Sequence, residues 1–181
     1  MENKRIKISG FGGQGIILSA HIVGQAASIY DGNEASMTQA YGPEARGGAC
    51  SSQVVISERE VDYPLVDTSD VLLALSQEGY DKFVGALRDG GKLCYDSDLV
   101  TVLQDHSRID ARAIPATRIA EELGRKIVAN IVMLGFATRQ AGIASYAAMK
   151  RSALESVPER FRELNERAFE TGYHYGEEAP A

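Results

Sequence analysis

Apolar and polar residues alternate through Arg5–Ser9 (RIKIS), a two-residue period that turns one side of an extended strand into a core. From Ile16 to Ile29 the apolar residues recur at helical spacing instead. The stretch GFGGQG, Gly10 to Gly15, therefore falls on a strand-to-helix turn. The pattern next predicts a short strand around Ala35 to Gln39, an irregular loop AYGPEARGG, and a strand from Ser51 to Ser57. SEREVDYP reads as a turn into a short edge piece that Pro64 ends, because proline has no N–H for a ladder. DVLLALS is a near-continuous apolar strand, QEGYDKFVGALRD a helix and KLCYD another strand. From Thr117 to about Gln140, residues Ile119, Leu123, Ile127, Ile131 and Leu134 keep one helical stripe, which predicts a single long helix. Its IVANIVMLGFA portion is apolar all round, so it should be buried on more than one side, by its own sheet or by another subunit. Two more helices are expected, near Ser145 to Ser156 and from Pro158 to about Thr171. Alternating strands and helices predict an α/β fold with a mostly parallel sheet covered on both faces. The expected organisation is a single domain over residues 1–176 with C-terminal helices, and a loose tail over 177–181.

Charge narrows the class of partner. A formal net charge of -6 and a pI near 5.1 exclude the clustered Lys and Arg surface that neutralises nucleic-acid phosphates. The opening MENKRIKISG lacks the apolar stretch of a secretory signal and no segment has the length and apolarity of a membrane span, as expected of a cytoplasmic protein. Cys50 and Cys94 show no CxxC spacing, so the chain cannot by itself ligate an iron–sulfur cluster or a structural zinc, and both read as small buried residues. His21, His106 and His174 are too scattered for a metal site.

Candidate chemistry gathers in two loops. Gly10, Gly12 and Gly15 fit G-x-G-x-x-G, in which the first glycine allows a tight turn, the second a close backbone approach to a phosphate, and the third close helix–strand contact. Helix N-termini attract anions. The acid that binds the ribose of NAD is missing, however, because the carboxyl end of the second strand reads Thr38, Gln39, Ala40, Tyr41. An anion site, a purely structural glycine turn and an NAD site thus remain as readings. The second loop, YGPEARGG, combines Tyr41, Glu44 and Arg46 at a strand's carboxyl end, where open parallel sheets bind ligands, although an ordinary surface ion pair would look the same. We expect Arg46 to help close an anion pocket made by Gly12, Gly13 and the start of the following helix, with the two loops leaving adjacent strands. Ser76 reads as a helix cap, Asp96 as a turn residue, and Asn130 as a buried amide satisfied by backbone or a polar key fixing subunit register.

GFGGQG, then YGPEARGG and SSQVVIS, with DVLLALS, DSDLV, AEELG and ANIVMLG beyond, closely resemble the gamma subunit of 2-oxoacid:ferredoxin (acceptor) oxidoreductases, and the YGPE-x-RGG form most resembles the 2-oxoglutarate type. The resemblance implies a Rossmann-like domain and an enzyme that oxidatively decarboxylates a 2-oxoacid to an acyl-CoA and passes the electrons to ferredoxin. It also implies alpha and beta subunits, and a delta subunit where one is present, that carry thiamine diphosphate, magnesium and 4Fe-4S clusters. This chain has no G-D-G followed by paired asparagines, and Asp89-Gly90-Gly91 reads as a helix-ending turn. It is expected to be inactive alone and, when isolated, to pair with a second copy. Coenzyme A would suit Gly10, Gly12, Gly13, Gln14 and Gly15, with Tyr41, Glu44 and Arg46 beside them, because its diphosphate needs backbone donors and no ribose acid. The alternative is a free-standing Rossmann-type nucleotide-binding oxidoreductase.

Overall fold

A computed structural model of the chain describes residues 3–41, 49–58, 67–102 and 107–178. The first strand, β1 (Lys4–Phe11), carries Ile6 and Ile8 on one face and Lys7 and Ser9 on the other. It runs into α1 (Ile16–Gln25), which continues as one wide π-helical turn over Ala26–Tyr30. Next come β2 (Glu34–Tyr41), β3 (Ala49–Ser57) and β4 (Ser69–Ala74), the last buried at every position, its apolar run Val71–Ala74 and the polar Ser69 and Asp70 alike. Ser76 caps α2 (Gln77–Phe83) by accepting from the Gly79 amide. β5 (Leu87–Asp96) and β6 (Asp110–Ile114) follow, then α3 (Ala116–Glu122), α4 (Ala129–Ala141), α5 (Tyr146–Glu155) and α6 (Arg162–Glu178).

The six strands lie in the order β2-β3-β1-β4-β5-β6. β1, β4, β5 and β6 are mutually parallel, whereas β3 runs antiparallel to both β1 and β2. The sheet is therefore mostly parallel with an antiparallel flank, as in other α/β folds that carry a turned strand near one edge. Two cores result, one on each face. Ile6, Ile8, Val54, Leu73 and Cys94 pack under α1, α3 and α4, while Leu72, Ala74 and Leu93 pack under Tyr80 and Val84 of the α2 side. Each fully buried Ile, Leu or Val side chain among these contributes about 1.5–3 kcal/mol.

Four sequence expectations change. The stripe from Thr117 to Gln140 is two helices, because Gly124 takes φ 101° and breaks the run, and a short 3-10 turn at Lys126–Val128 then restarts it as α4. Asp89-Gly90-Gly91 lies inside β5, where the Gly90 amide donates to the Arg108 carbonyl. β6 was not anticipated, since DARAI is polar enough for an edge. α6 runs on to Glu178, two residues into the stretch read as tail. The expected edge piece over SEREVDYP spans residues 57–64 and, apart from its first two residues, lies outside the described ones.

Candidate active-site loop

The glycine loop crosses from the end of β1 to the start of α1, and each of its outer glycines is required by a neighbour. A Cβ on Gly10 would stand 2.5 Å from Gln14 Oε1 and 2.7 Å from Ile16 Cδ1. That closeness lets Gln14 fold back: its Oε1 accepts from the Phe11 amide (2.6 Å) while its Nε2 donates to the Leu75 carbonyl (2.9 Å) just beyond β4. Gln14 thereby braces the loop across two parallel strands. Gly13 and Gly15 take φ 94° and 73°, the left-handed region that side chains disfavour. Gly15 also abuts Asn130 of α4, where a Cβ would come within 2.4 Å of Nδ2. Asn130 Nδ2 donates to the Gly15 carbonyl (3.4 Å) and to Ser19 Oγ (3.3 Å), so the buried amide ties the loop to the middle of the helical layer.

Gly12 and Gly13 differ from their neighbours in having nothing within 4 Å of the Cβ position. Both are exposed. Among the described residues no side chain caps α1, and no acid sits in its first turn, so its first amides and positive dipole end could receive an anion. Below the loop runs a groove of about 230 Å³ with Gly13, Gly15 and Asn130 at one end and Ile127, Ile131 and Phe161 along its walls. Arg125 stands over it, its guanidinium 5.4 Å from the centre of the Phe161 ring, with Arg160 at 4.8 Å from the same ring. Backbone donors, a guanidinium and an apolar trough together suit a ligand with an anionic head and an apolar stem.

The sequence pattern of the Pyruvate ferredoxin/flavodoxin oxidoreductase family matches residues 5–175. The chain belongs to this family. It is 49% identical over 177 residues to the 2-oxoglutarate synthase subunit KorC of Methanocaldococcus jannaschii, covering 97% of this chain and 95% of that one. The gamma subunit of a keto/oxoacid ferredoxin oxidoreductase from Geobacter sulfurreducens superposes with a TM-score of 0.90 at 44% identity, over 99% of both chains. The 2-oxoglutarate:ferredoxin oxidoreductase of Magnetococcus marinus, solved with 2-oxoglutarate, coenzyme A and succinyl-CoA bound, superposes with a TM-score of 0.87 at 25% identity. It covers 98% of this chain but 31% of that longer one.

Within this oxidoreductase fold the other predicted residues separate. Tyr41 ends β2 in register with Cys50 of β3, which in turn pairs with Gly10, so the described ends of the second loop lie beside the first. β3 intervenes, and the two loops do not leave adjacent strands as expected. Glu44 and Arg46 lie outside the described residues. Asp96, fully buried at the carboxyl end of β5, is a turn and cap: its Oδ1 accepts from the Asp98 amide and its Oδ2 from the amide and hydroxyl of Thr117. Among the described residues no three His, Cys, Asp or Glu side chains gather as a metal site, and no helix is long and apolar enough to cross a membrane. Burial pushes the Cys94 thiol up to about 12, away from the thiolate that metal ligation requires, and Cys50 is buried on another strand. His21 is exposed, His174 pairs with Glu170 and Glu177, and His106 lies outside the described residues. Sequence reasoning missed Arg125 and Phe161. The only signal was Gly124, a helix-ending residue inside an apparently continuous stripe.

Proposed function

We propose that the chain is the gamma-type subunit of a 2-oxoglutarate:ferredoxin oxidoreductase, and that its open loop with Arg125 receives the diphosphate of coenzyme A. The observation that carries the second part is the open, uncapped start of α1 at Gly12 and Gly13 above an apolar groove. The first part rests on 49% identity over 97% of the chain to a 2-oxoglutarate synthase subunit. In the assembled enzyme the alpha and beta subunits, with a delta subunit where one exists, carry thiamine diphosphate, magnesium and 4Fe-4S clusters. Those groups supply the decarboxylation and the two-electron oxidation that ends in ferredoxin. This chain's residues bind and orient instead. Amides of the loop grip the anionic head, Arg125 adds a charge-assisted contact, Ile127, Ile131 and Phe161 shelter the stem, and Gln14 holds the loop at fixed height. Arg46 is proposed as a further guanidinium at the same anion.

Purified chain should show no 2-oxoglutarate-dependent dye reduction until alpha and beta subunits are added. Turnover by the chain alone would favour the free-standing oxidoreductase. In the reconstituted complex Arg125→Ala should raise KM for coenzyme A about tenfold or more, as loss of one hydrogen bond to a charged group does, with KM for 2-oxoglutarate unchanged. An unchanged KM for coenzyme A removes Arg125 from the site.

A further inference from the structure

Lys7 lies in the middle of β1 on the face that α2 covers, directly opposite Gln53 of β3 and beside Leu72 of β4. It is only 9% exposed. Its ammonium stands 4.3 Å from the centre of the Phe83 ring, and Lys82 approaches the same ring at 5.5 Å. Burial first, and Lys82 second, hold the Lys7 pKa below its ordinary 10.5. Among the described residues no carboxylate is paired with it. A ring face offsets only part of the cost of taking an ammonium out of water, so an anionic partner is owed. Beside it, Gln53 Oε1 is also buried and accepts no hydrogen bond. Cross-strand neighbours stand about 5 Å apart at Cβ. An ammonium has three donors, so Lys7 can serve Gln53 Oε1 and a carboxylate together.

The surroundings indicate where that carboxylate comes from. α2 packs on β1, β3 and β4, while β2 is packed by α1 and the π-helical turn of the opposite face. On the α2 face β2 presents Ser36 and Thr38, half-buried polar residues in register with Val55 and Gln53. The charge that acts on Lys7 is the like-signed Lys82, whereas the carboxylates of Glu34 and Asp70 belong to the Arg5 end of the same face. A buried ammonium beside a second cation selects an acidic group from another chain.

We propose that Lys7 and Gln53 form a carboxylate seat on the sheet, filled in the assembled enzyme by an Asp or Glu side chain of a partner subunit. The proposal rests on the reading of the chain as a subunit, and its test separates the two. Lys7→Met keeps the stem and removes the charge. The melting temperature of the isolated chain should then stay level or rise, since an unpaired buried charge has gone. Association with alpha and beta subunits, followed by sedimentation, should weaken at least roughly tenfold, and Lys7→Arg should recover part of the loss. Equal association of Lys7→Met and unaltered chain overturns the seat and leaves the subunit reading intact. Failure of the unaltered chain to associate overturns both. A sharp fall in melting temperature of isolated Lys7→Met means that a carboxylate of this chain already fills the seat, and overturns the partner. Stabilisation of the isolated chain by acetate, lost in Lys7→Met, gives the seat to a free small carboxylate and overturns the partner as well.

Discussion

Two glycine-rich regions of this molecule use the same residue for opposite ends. At the crossing of α4 and α6, a Cβ on Gly135 would lie 2.1 Å from the Phe169 carbonyl oxygen, and one on Gly172 would lie 2.0 Å from that of Val132. Backbone occupies the space that a side chain would fill, and the two helices close on one another around Phe136 and Phe169. At the loop between β1 and α1, Gly12 and Gly13 face nothing. In the first region glycine brings two parts of the chain together, and in the second it leaves a surface bare, where we propose that the diphosphate binds. A count of glycines along a sequence cannot tell these uses apart, but a substitution can.

The contrast is broken most forcefully at the helix crossing. Gly135→Ala or Gly172→Ala must push a carbonyl aside, and overpacking of this kind costs about 1–3 kcal/mol and occasionally more, against which better helix propensity returns up to about 1 kcal/mol. We expect a net loss at the upper end of that range in chemical denaturation, because backbone cannot give way as a flexible side chain does. A loss below about 0.5 kcal/mol would mean that the helices slide freely. Gly15→Ala should come next, at about 1–2 kcal/mol for the left-handed backbone, plus the clash with Asn130. Adding Asn130→Ala should relieve the clash, so a double-mutant cycle should show a smaller loss than the sum of the single changes. Additive losses would show that the amide is not what Gly15 abuts.

Acid probes the helix side more gently. Burial works to raise the Glu170 pKa, yet hydrogen bonds from Lys150 (2.7 Å) and Tyr146 (2.5 Å) prevail and hold it below the usual 4.5. A carboxylate whose folded pKa is depressed stabilises the fold above its unfolded value and loses that contribution as pH falls through the folded one. Stability should therefore decline modestly below pH 4.5, by less than about 1 kcal/mol for this half-exposed cluster, and Glu170→Gln should flatten that part of the curve. An identical acid profile for Glu170→Gln would assign the decline to other carboxylates. The smallest effect on stability belongs to Gly12→Ala, within about 0.5 kcal/mol, because its φ is ordinary and its surroundings are open. In the assembled enzyme the same methyl should raise KM for coenzyme A several-fold. A normal KM would place the diphosphate elsewhere.

Which parts of the molecule the sequence made legible follows from what its patterns encode. β1, α1, β3 and β4 were readable because each buries one face or all of itself, and apolar spacing reports burial directly. The break at Gly124 was not, since hydrophobic spacing carries no information on the sign of φ and the stripe resumed in phase. β6 escaped because an edge strand with one buried residue, Ile114, leaves no alternation to find. The loop was legible as a motif, whereas its floor was not. Gly13, Arg125 and Phe161 lie far apart along the chain, and only the packing of α4 against α1 and of α6 against α3 and α4 brings them together. The reverse held for Asn130, whose polarity inside an apolar run marked it out, although nothing in the run named Gly15 as the carbonyl it would meet.

Gln14 has a consequence for the thermodynamics of binding. A glycine-rich loop free in solution samples many shapes, and fixing one residue's backbone costs about 1–2 kcal/mol. Here the cost falls at folding, because the Gln14 amide fastens the turn to Phe11 on one side and Leu75 on the other before any ligand arrives. The anion proposed for this loop would find its donors already aimed and spend little entropy on ordering them, so its affinity would be set by the contacts themselves. Cutting the fastening with Gln14→Ala would move that entropy from the folding reaction to the binding reaction. Calorimetry would register it as a weaker, more enthalpic association with a loop that has to be found each time.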